Sequence, residues 1–340
     1  MKHLRSLALP VIALLAIPAC QQASGAVDET ASAGTADTSA WRLVWADEFD
    51  GDGIDRDKWS FDLDCWGGGN AERQCYTDAP ANAWVENGHL IIHALREPVS
   101  GPSLPERMRS ADTPVEIVER EYSSARLVTR GKAAWRYGRI EVRARLPRGQ
   151  GVWPAIWMLP ENSPYGGWAA SGEIDIMEAV NLGTPCNECP TGFEDRVLGT
   201  LHYGSEWPDN HYSGSFTTLP DLAQGMHTFA LEWSEAGMTW LVDDVPYACQ
   251  TPEDWFTTSE AAQGRTAAPF DQPFHLIMNV AVGGGLPERK NLGGVDPDVF
   301  PQSMIVDFVR VYEWAGDGDM PALPATCGPE YRGDSSTTGG

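Results

Sequence analysis

Three carboxylic acids stand close together in an otherwise mostly apolar segment, 171–180. They are Glu173, Asp175 and Glu178. In a regular β-strand, side chains two residues apart share a face, so Glu173 and Asp175 project together while Ile174 enters the core. Proteins tolerate such mutually repelling carboxyls for metal binding or for acid–base chemistry that needs two different pKa values. The segment is therefore the first candidate for a functional site, and a solvated acidic edge is the alternative.

The third acid, Glu178, does not fit this simple alternation. Strict period two turns its side chain toward the interior and exposes Met177 instead. Burial of an unpaired carboxylate among isoleucine side chains costs several kcal/mol or forces the group to stay protonated. One extra residue in a β-bulge at 176–177 removes the conflict and returns Glu178 to the acidic face. We therefore predict a bulge at that point.

The spacing of the acids narrows the range of reactions that they could catalyse. Carboxyl groups two residues apart on one strand face lie about 5–7 Å from each other. Retaining glycoside hydrolases hold their two catalytic carboxyls about 5–5.5 Å apart, whereas inverting hydrolases need a wider gap. Hydrolysis of a glycosidic bond through a covalent sugar intermediate is thus the reaction that this spacing favours.

The rest of the chain repeats the period of two. In 139–146, Arg and Glu alternate with Ile, Val, Ala and Leu, and Gly, Pro, Asn and Asp separate the apolar segments along the chain. Many short strands between turn residues predict an all-β protein, a two-sheet antiparallel β-sandwich or jelly roll. The segment 97–121 interrupts this rhythm with prolines and mixed charge, so we predict a long surface loop. The predicted strands are 41–45, 88–94, 123–129, 139–146, 154–159, 173–179, 197–203, 228–232, 238–243, 274–282 and 305–312.

Composition excludes several classes of protein. The 340 residues carry 24 Lys and Arg against 48 Asp and Glu, a net charge of −24, whereas a nucleic-acid-binding protein needs a basic surface. A hydrophobic content of 42% excludes wholesale disorder. The 14 Trp exceed what a core requires and indicate a surface lined by aromatic side chains.

Both ends of the chain differ from the middle. Residues 1–20 combine positive charge at the start with a short apolar stretch and are predicted to be a signal peptide. A small residue, Ala19, just before Cys20 resembles a bacterial lipoprotein processing site, at which Cys20 would carry the lipid anchor, although Pro18 departs from the usual pattern; ordinary cleavage is the alternative. We predict a flexible linker over 21–40, one domain over 41–314 and a polar C-terminal tail over 315–340. The protein is therefore expected to be exported, either as a cell-surface or outer-membrane lipoprotein or as a secreted protein.

The cysteines agree with export. Six remain after Cys20, an even set that indicates disulfides in an oxidising compartment, with 15 possible pairings. We favour Cys65 with Cys75, which closes a short Gly-rich loop. Cys186 and Cys189 form a lone CxxC motif without partners at zinc-site spacing, so a loop disulfide is preferred to a metal site.

Glu173–Glu178, which reads Glu-Ile-Asp-Ile-Met-Glu, is similar to the signature of glycoside hydrolase family 16 in its bulged form. That form resembles laminarinases, agarases and carrageenases, while the unbulged form belongs to lichenases. Further segments resemble the endo-1,3-β-glucanase branch and run in order through nearly all of the predicted domain. They are 45–50, 68–77, 86–90, 122–126, 137–141, 153–160, 199–203, 279–284 and 307–312.

The resemblance implies a role for each acid. Glu173 would be the nucleophile and Glu178 the general acid/base, with Asp175 between them to tune the pair. The family fold is a two-sheet jelly roll with this strand on the concave face, which forms the substrate cleft, and catalysis needs no cofactor. These roles require that Glu178 starts protonated and that Glu173 starts ionised.

Aromatic and polar side chains near the acids are candidates for sugar binding. Indole rings offer a flat apolar face and an N–H donor to a sugar ring. For each candidate, core packing or a structural hydrogen-bond network is the alternative. His202 is included because its position in the family faces the cleft. The predicted substrate-binding residues are Trp153, Trp157, Asn70, Glu72, Arg73, His202, Trp207 and Asn279.

The resemblance also implies a structural calcium, because many relatives carry one on the convex side. By position its ligands would be Glu48, the Gly88 carbonyl and Asp307. Oxygen-only ligands suit Ca²⁺.

The expected function is a retaining endo-acting hydrolase of laminarin-like β-1,3-glucan, and β-glucan polysaccharide is the expected partner of a monomeric protein. Mixed-linkage 1,3-1,4-β-glucan or an algal galactan is the alternative substrate, although the acidic chain disfavours sulfated galactans. A non-catalytic β-glucan-binding protein is the alternative from another class. That alternative is disfavoured because all three acids are present.

Overall fold

The computed structural model describes residues 40–110, 112–219, 225–318, 320 and 322–334. The predicted signal peptide, Cys20 and all but the last residue of the predicted linker lie outside the described residues. Within those residues, no helix is long and apolar enough to cross a membrane.

The described residues form eighteen β-strands and four single-turn 3₁₀ helices. The helices are Glu106–Met108, Glu260–Ala262, Pro287–Arg289 and Pro297–Val299. The strands are β1 Trp41–Asp47, β2 Ser60–Phe61, β3 Gln74–Tyr76, β4 Ala83–Glu86, β5 His89–Pro102, β6 Ile117–Ser124, β7 Arg126–Val128, β8 Gly138–Arg145, β9 Val152–Pro160, β10 Glu173–Glu178, β11 Arg196–Gly204, β12 Asn210–Thr218, β13 His227–Ser234, β14 Gly237–Val242, β15 Val245–Gln250, β16 Phe274–Val282, β17 Gln302–Trp314 and β18 Tyr331–Asp334.

These strands build two sheets, which confirms the predicted all-β sandwich. One sheet follows the order β15-β14-β13-β8-β17-β5-β6-β3, with β1 and β4 added against β17 and β5. The other, called the cleft sheet below, follows the order β18-β12-β11-β10-β9-β16-β7-β2. Neighbouring strands are antiparallel except for the short β3–β6 pair. The strand that carries the three acids, β10, therefore lies in the middle of the cleft sheet.

Alternating side chains explain how the sheets pack. In β8, Ile140, Val142 and Ala144 are buried while Arg143 and Arg145 are exposed. The inward faces of both sheets meet in one apolar core, as expected when period-two strands bury one face each. Its largest fully buried side chains are aromatic: Trp59, Trp233, Trp240, Phe229, Phe270 and Phe274.

The predicted loop over 97–121 is wrong, because most of this segment is a β-hairpin. β5 and β6 stay paired as far as Pro102 and Ile117, with a register shift between Arg96 and Val99. Pro98 lies within that irregularity, where a missing N–H is tolerated. The outer part of the hairpin is largely solvent-exposed, so it carries no alternating apolar pattern from which the strands could be recognised.

The predicted polar tail over 315–340 is also wrong in part. Tyr331–Asp334 form β18, which pairs antiparallel with β12 at the edge of the cleft sheet. Only one of its four residues is a large hydrophobic one, so the sequence pattern contains no strand signal. Backbone pairing to the neighbouring strand defines this element.

Three disulfides connect the six cysteines after Cys20. Cys65–Cys75 and Cys186–Cys189 confirm the two pairs expected from the sequence. The third bond joins Cys249 of β15 to Cys327, shortly before β18. It fastens the chain leading to β18 to the edge of the opposite sheet.

Candidate active site

The register of β10 against β9 shows how the three acids reach one face. Asp175 pairs with Trp157, and Met177 pairs with Ile156, so Ile176 is the extra residue. The predicted bulge is confirmed, and its position follows from the physics of burial. Ile174, Ile176 and Met177 all enter the core, while Glu178 stays on the side of Glu173 and Asp175.

A tryptophan of the opposite sheet supports the bulge from below. Trp240 is fully buried in β14, and its Nε1 donates a hydrogen bond of 2.8 Å to the Asp175 carbonyl. The bulge disturbs the ladder between β10 and both of its neighbours after Asp175. Trp240 thus satisfies a carbonyl group at the point where the ladder is interrupted.

The acids line the floor of a cleft of about 1070 Å³. Aromatic, polar and glycine residues surround them, which is typical of sites that bind extended polar ligands. Six of the eight predicted substrate-binding residues line the same cleft: Asn70, Glu72, Trp153, Trp157, Trp207 and Asn279. His202 reaches the acids from the neighbouring strand, whereas Arg73 is not part of the cleft lining.

Each outer acid accepts a hydrogen bond from its own indole. Trp168 Nε1 donates to Glu173 Oε2 at 2.6 Å, and Trp153 Nε1 donates to Glu178 Oε1 at 3.0 Å. Trp153 was predicted to stack on sugar, and the structure adds this polar contact to the acid. A donor to a carboxylate favours its ionised form, so the shorter bond favours ionisation of Glu173.

Burial controls the protonation of the cluster. It is the main cause that raises the pKa of Glu173 and of Glu178 to about 8, and the neighbouring charge of Asp175 contributes to that rise. Burial likewise raises the pKa of Asp175 to about 8. His202 and Trp168 oppose the rise for Glu173. At neutral pH the cluster therefore retains protons, and a protonated carboxylic acid is available to act as general acid.

Asp175 lies between the two outer acids on β10, and His202 lies beside Asp175 and Glu173. His202 Nε2 is 3.3 Å from Asp175 Oδ2 and 3.8 Å from Glu173 Oε1. Within the described chain, Asp175 Oδ2 is buried and makes no hydrogen bond. This oxygen is therefore available to share a proton with the neighbouring acids or the histidine. His202 thus lies where the family position predicts.

A series of side-chain hydrogen bonds fixes the wall of the cleft. Trp157 Nε1 donates to Asn279 Oδ1 at 2.7 Å, and Asn279 Nδ2 donates to Tyr76 Oη at 3.0 Å. Tyr76 then donates to Glu72 Oε2 at 3.2 Å. Asn279 is 3% exposed and Glu72 is 7% exposed. Their polar groups thus hold the wall together, which was the alternative to direct sugar contact.

The Gly-rich loop before β3 folds tightly over Glu72. Gly68 has a φ of 63°, and a Cβ there would collide with the Glu72 carboxylate. Asn70 Nδ2 contacts Glu72 Oε1 at 3.5 Å. Arg73 instead forms an ion pair with Glu288 on the facing loop. The loop therefore presents Asn70 to the cleft while Arg73 joins the two loops.

Two exposed tryptophans form one rim of the cleft. Trp207 is 69% exposed and Trp168 is 40% exposed. The Trp207 backbone N–H donates to the Trp168 carbonyl at 2.9 Å, so the two are held side by side. Large apolar faces left in water at the mouth of a cleft mark a binding surface.

Sequence reasoning missed two residues behind the wall, Tyr76 and Arg126. The Arg126 guanidinium lies 4.3 Å from the centre of the Tyr76 ring and 5.4 Å from that of Trp157. Arg126 is buried at 4% exposure, and its Nη2 lies 3.9 Å from Glu72 Oε2. Both residues belong to segments that resemble the family, Tyr76 to 68–77 and Arg126 to 122–126, and this resemblance was the available signal.

The predicted calcium ligands lie just after β1 (Glu48), just before β5 (Gly88) and in the middle of β17 (Asp307). β1 ends opposite Val309, and β5 pairs Leu90 with Val306, so Glu48 and Gly88 both lie beside Asp307. This placement and the oxygen-only donors fit calcium. Each carboxylate is also paired with an arginine. Arg310 donates two bonds of 2.8 Å to Glu48, and Arg143 donates one of 2.7 Å to Asp307.

The sequence model of glycosyl hydrolases family 16 matches residues 103–297, more than half of the chain and all three acids. The chain belongs to glycosyl hydrolases family 16. This family 16 hydrolase is 45% identical over 282 residues to a β-glucanase of Rhodothermus marinus, an alignment that covers 81% of this chain and 86% of that protein. It is 40% identical to glucan endo-1,3-β-glucosidase A1 of Niallia circulans, covering 80% of this chain but only 38% of that longer protein.

A solved structure agrees with the fold of the family 16 hydrolase. The laminarinase from Rhodothermus marinus superimposes with a TM-score of 0.62 at 40% sequence identity. The match covers 81% of this chain and 98% of the laminarinase. The predicted family and jelly-roll architecture are thereby confirmed.

Proposed function

We propose that the protein is a retaining, endo-acting hydrolase of laminarin-like β-1,3-glucan. The observation that carries the proposal is the bulge in β10, which turns Glu173 and Glu178 toward one cleft, each beneath an indole N–H donor. The β-1,3-glucan preference draws support from relatives named as endo-1,3-β-glucosidase and laminarinase. The cleft volume of about 1070 Å³ suits an internal segment of a long chain.

In the first step, protonated Glu178 donates its proton to the glycosidic oxygen while the Glu173 carboxylate attacks the anomeric carbon. The bond from that carbon to the leaving oxygen breaks, and an ester bond to Glu173 forms. In the second step, Glu178 removes a proton from water, and the water oxygen displaces Glu173. Two inversions restore the original anomeric configuration, and no cofactor takes part.

The cleft walls hold the glycan across the acids. Trp157 and Trp153 offer flat faces to sugar rings, while Trp207 extends the rim. Asn70 and His202 offer polar atoms to sugar hydroxyls. Glu72 and Asn279 act mainly by holding Trp157 in place, and Arg73 by fixing the loop that carries Asn70.

A substrate panel tests this function. Wild-type protein is incubated with laminarin, barley mixed-linkage glucan, agarose and carrageenan, and reducing ends are counted. We expect laminarin to be cleaved fastest, with a mixture of oligosaccharide lengths appearing early. Faster cleavage of barley glucan or of a galactan would replace the proposed substrate, and glucan binding without new reducing ends would refute the hydrolase.

Replacement of Trp168 by Phe is expected to lower kcat on laminarin about 10- to 100-fold, the range for a lost hydrogen bond to a charged group. The change keeps an aromatic ring but removes the N–H that stabilises ionised Glu173. The pKa of Glu173 should then rise, so the acidic limb of the pH–rate profile should move to higher pH. An unchanged acidic limb in kcat/KM would contradict this role, and Trp84→Phe in the other sheet serves as a matched control.

We also propose that Glu48, the Gly88 carbonyl and Asp307 hold a structural calcium. The ion would compete with Arg310 for the Glu48 carboxylate and with Arg143 for the Asp307 carboxylate. Calcium at 100 times its Kd would contribute about 2.7 kcal/mol, or about 5 °C in the melting temperature. We therefore expect a chelator to lower Tm by about this amount and added calcium to restore it. Asp307→Asn should remove the calcium response. An equal Tm with and without chelator would rule the site out.

Finally, we propose that the protein is exported as a monomer and that lipid is attached at Cys20. Three disulfides agree with an oxidising compartment. Mass spectrometry of the mature N-terminus distinguishes a lipid on Cys20 from ordinary cleavage, and light scattering measures the oligomeric state.

A further inference from the structure

Two rows of cross-strand neighbours lead away from the acids toward β18. Glu173 pairs with His202, His202 with Tyr212, and Tyr212 with Gly333. Residues paired directly across antiparallel strands lie on the same face of the sheet. Since Glu173 faces the cleft, Tyr212 faces the same side. This first row therefore carries an aromatic side chain on β12, two strands from the acids.

The second row begins at Asp175. Asp175 pairs with Thr200, Thr200 with Gly214, and Gly214 with Tyr331 of β18. Tyr331 therefore also faces the cleft side. Its Oη shares a hydrogen bond of 2.9 Å with Thr200 Oγ1, so the side chain reaches back across Gly214 toward the acids.

Glycines make room for both tyrosines. A Cβ on Gly214 would lie 2.5 Å from Tyr331 Oη, and a Cβ on Gly333 would collide with the Tyr212 hydroxyl. Each tyrosine thus lies low over a glycine of the neighbouring strand instead of standing upright from the sheet. Flat, half-buried aromatic rings on an open sheet face are suited to contact with sugar rings.

The rings continue from the rim of the cleft without a break. Ring centres are 5.6 Å apart for Trp168 and His202, 5.9 Å for His202 and Tyr212, and 6.5 Å for Tyr212 and Tyr331. Burial raises the pKa of the Tyr331 hydroxyl, and the nearby charges of Glu178 and Asp175 add to the rise. Tyr331 therefore lies within electrostatic reach of the acids.

We propose that Tyr331 and Tyr212 form the subsite for the leaving-group part of the glycan, on the opposite side of β10 from Trp157 and Asn279. This inference rests on the proposed function and adds a binding element from outside the part of the chain that matches the family. The family model matches residues 103–297, whereas Tyr331 lies on β18. The Cys249–Cys327 disulfide and the pairing with β12 hold β18 in place.

The two halves of the surface suit different parts of the substrate. The half formed by β9, β16 and β7 belongs to the enclosed cleft, with Trp157, Asn279 and Arg126 in its lining. The sugar bound covalently to Glu173 must stay in place until water attacks, which suits the enclosed half. The leaving sugar must depart between the two steps. The shallower row on β11, β12 and β18 suits this exchange, and an incoming acceptor sugar would use the same row.

The test compares two substrates with different leaving groups, one a sugar chain and the other an aryl group. Laminarihexaose places sugars on both sides of the acids, whereas p-nitrophenyl β-laminaribioside releases nitrophenol and places no sugar in the proposed subsite. For Tyr331→Ala in the full chain, we expect kcat/KM on the hexaose to fall about tenfold, the size of one lost aromatic contact and hydrogen bond. Nitrophenol release should stay within about twofold of wild type. The yield of transglycosylation products relative to hydrolysis should fall with the hexaose activity.

Variants separate stacking from folding. Tyr331→Phe keeps the ring and loses the bond to Thr200, so a loss of about threefold on the hexaose is expected. Tyr312→Ala, in the other sheet, is the matched control and should leave the ratio between the substrates unchanged. Equal losses on both substrates, an unchanged hexaose rate, or a selective loss on the nitrophenyl substrate would each overturn the proposal. Turnover of the hexaose by the wild-type protein is measured first. If the wild type does not cleave the hexaose, the proposed function is refuted, and not the subsite alone.

Discussion

Glu173→Gln is expected to lower kcat on laminarin about 10⁴-fold or more, which corresponds to about 5 kcal/mol of lost transition-state stabilisation. Glutamine keeps the shape of the side chain and can still contact Trp168, but an amide cannot form the glycosyl ester. Asp175, His202 and Trp168 surround the Glu173 side chain, and glutamine keeps these neighbours while it removes the nucleophilic carboxylate. The variant should therefore bind glucan and fail to cleave it.

Initial rates on laminarin and binding by isothermal calorimetry measure the two halves of this prediction. Glu313→Gln, in a surface ion pair with Arg42, is the matched control for the loss of one carboxylate. A second variant, Glu173→Gly, leaves room for azide, which should restore turnover of an activated aryl glycoside. Its product should be the α-glycosyl azide, because azide then attacks in the place of Glu173. A Glu173→Gln activity close to wild type would remove the assigned nucleophile.

The bulge in β10 shows what a short sequence can establish. Strict alternation would place Glu178 on the buried face with Ile174 and Ile176, and the cost of burying a carboxylate there makes an inserted residue necessary. The argument needs only the local residues and the properties of a strand. It therefore located the bulge, the face of all three acids and the core side of the strand before any coordinates.

The contacts that surround the acids could not be predicted in the same way. Trp168 lies five residues before Glu173, yet its N–H reaches the carboxylate only through the conformation of the intervening loop. Glu72 and Asn279 are far apart in sequence and meet through Tyr76. Side-chain networks of this kind depend on the positions of three or more strands at once, so residue type alone indicates the candidates but not their partners.

β18 is one of the elements that the sequence pattern did not reveal. Its four residues are mostly polar and follow a stretch rich in Gly and Pro. Neither alternation nor propensity distinguishes it from a tail, because an edge strand receives its order from backbone bonds to β12. A disulfide between Cys249 and Cys327 was one of several open pairings, and only the folded chain shows that it directs residues 327–334 to the cleft sheet.

The second large effect concerns Glu178. Burial and the charge of Asp175 raise its pKa to about 8, which keeps the proton needed for departure of the leaving sugar. Wild-type activity should therefore fall as pH rises through about 8, because the acid form of Glu178 is lost. Glu178→Ala should lower kcat on laminarin by about 10³-fold and should abolish that basic limb.

Substrates with different leaving groups separate the two duties of Glu178. Dinitrophenolate leaves without a proton, so Glu178→Ala should form the covalent intermediate on Glu173 from a dinitrophenyl β-laminaribioside at nearly the wild-type rate. The intermediate should then accumulate, since no base activates water, and a burst of dinitrophenol followed by slow turnover should appear. Azide needs no base and should restore turnover with a β-glycosyl azide product, opposite in configuration to that from Glu173→Gly. The general acid would be another residue if the variant formed the intermediate slowly from the dinitrophenyl substrate, or if its pH–rate profile on laminarin kept the basic limb. Because Asp175 is the remaining carboxylate on the same strand face, Asp175→Asn in the Glu178→Ala background would then identify it.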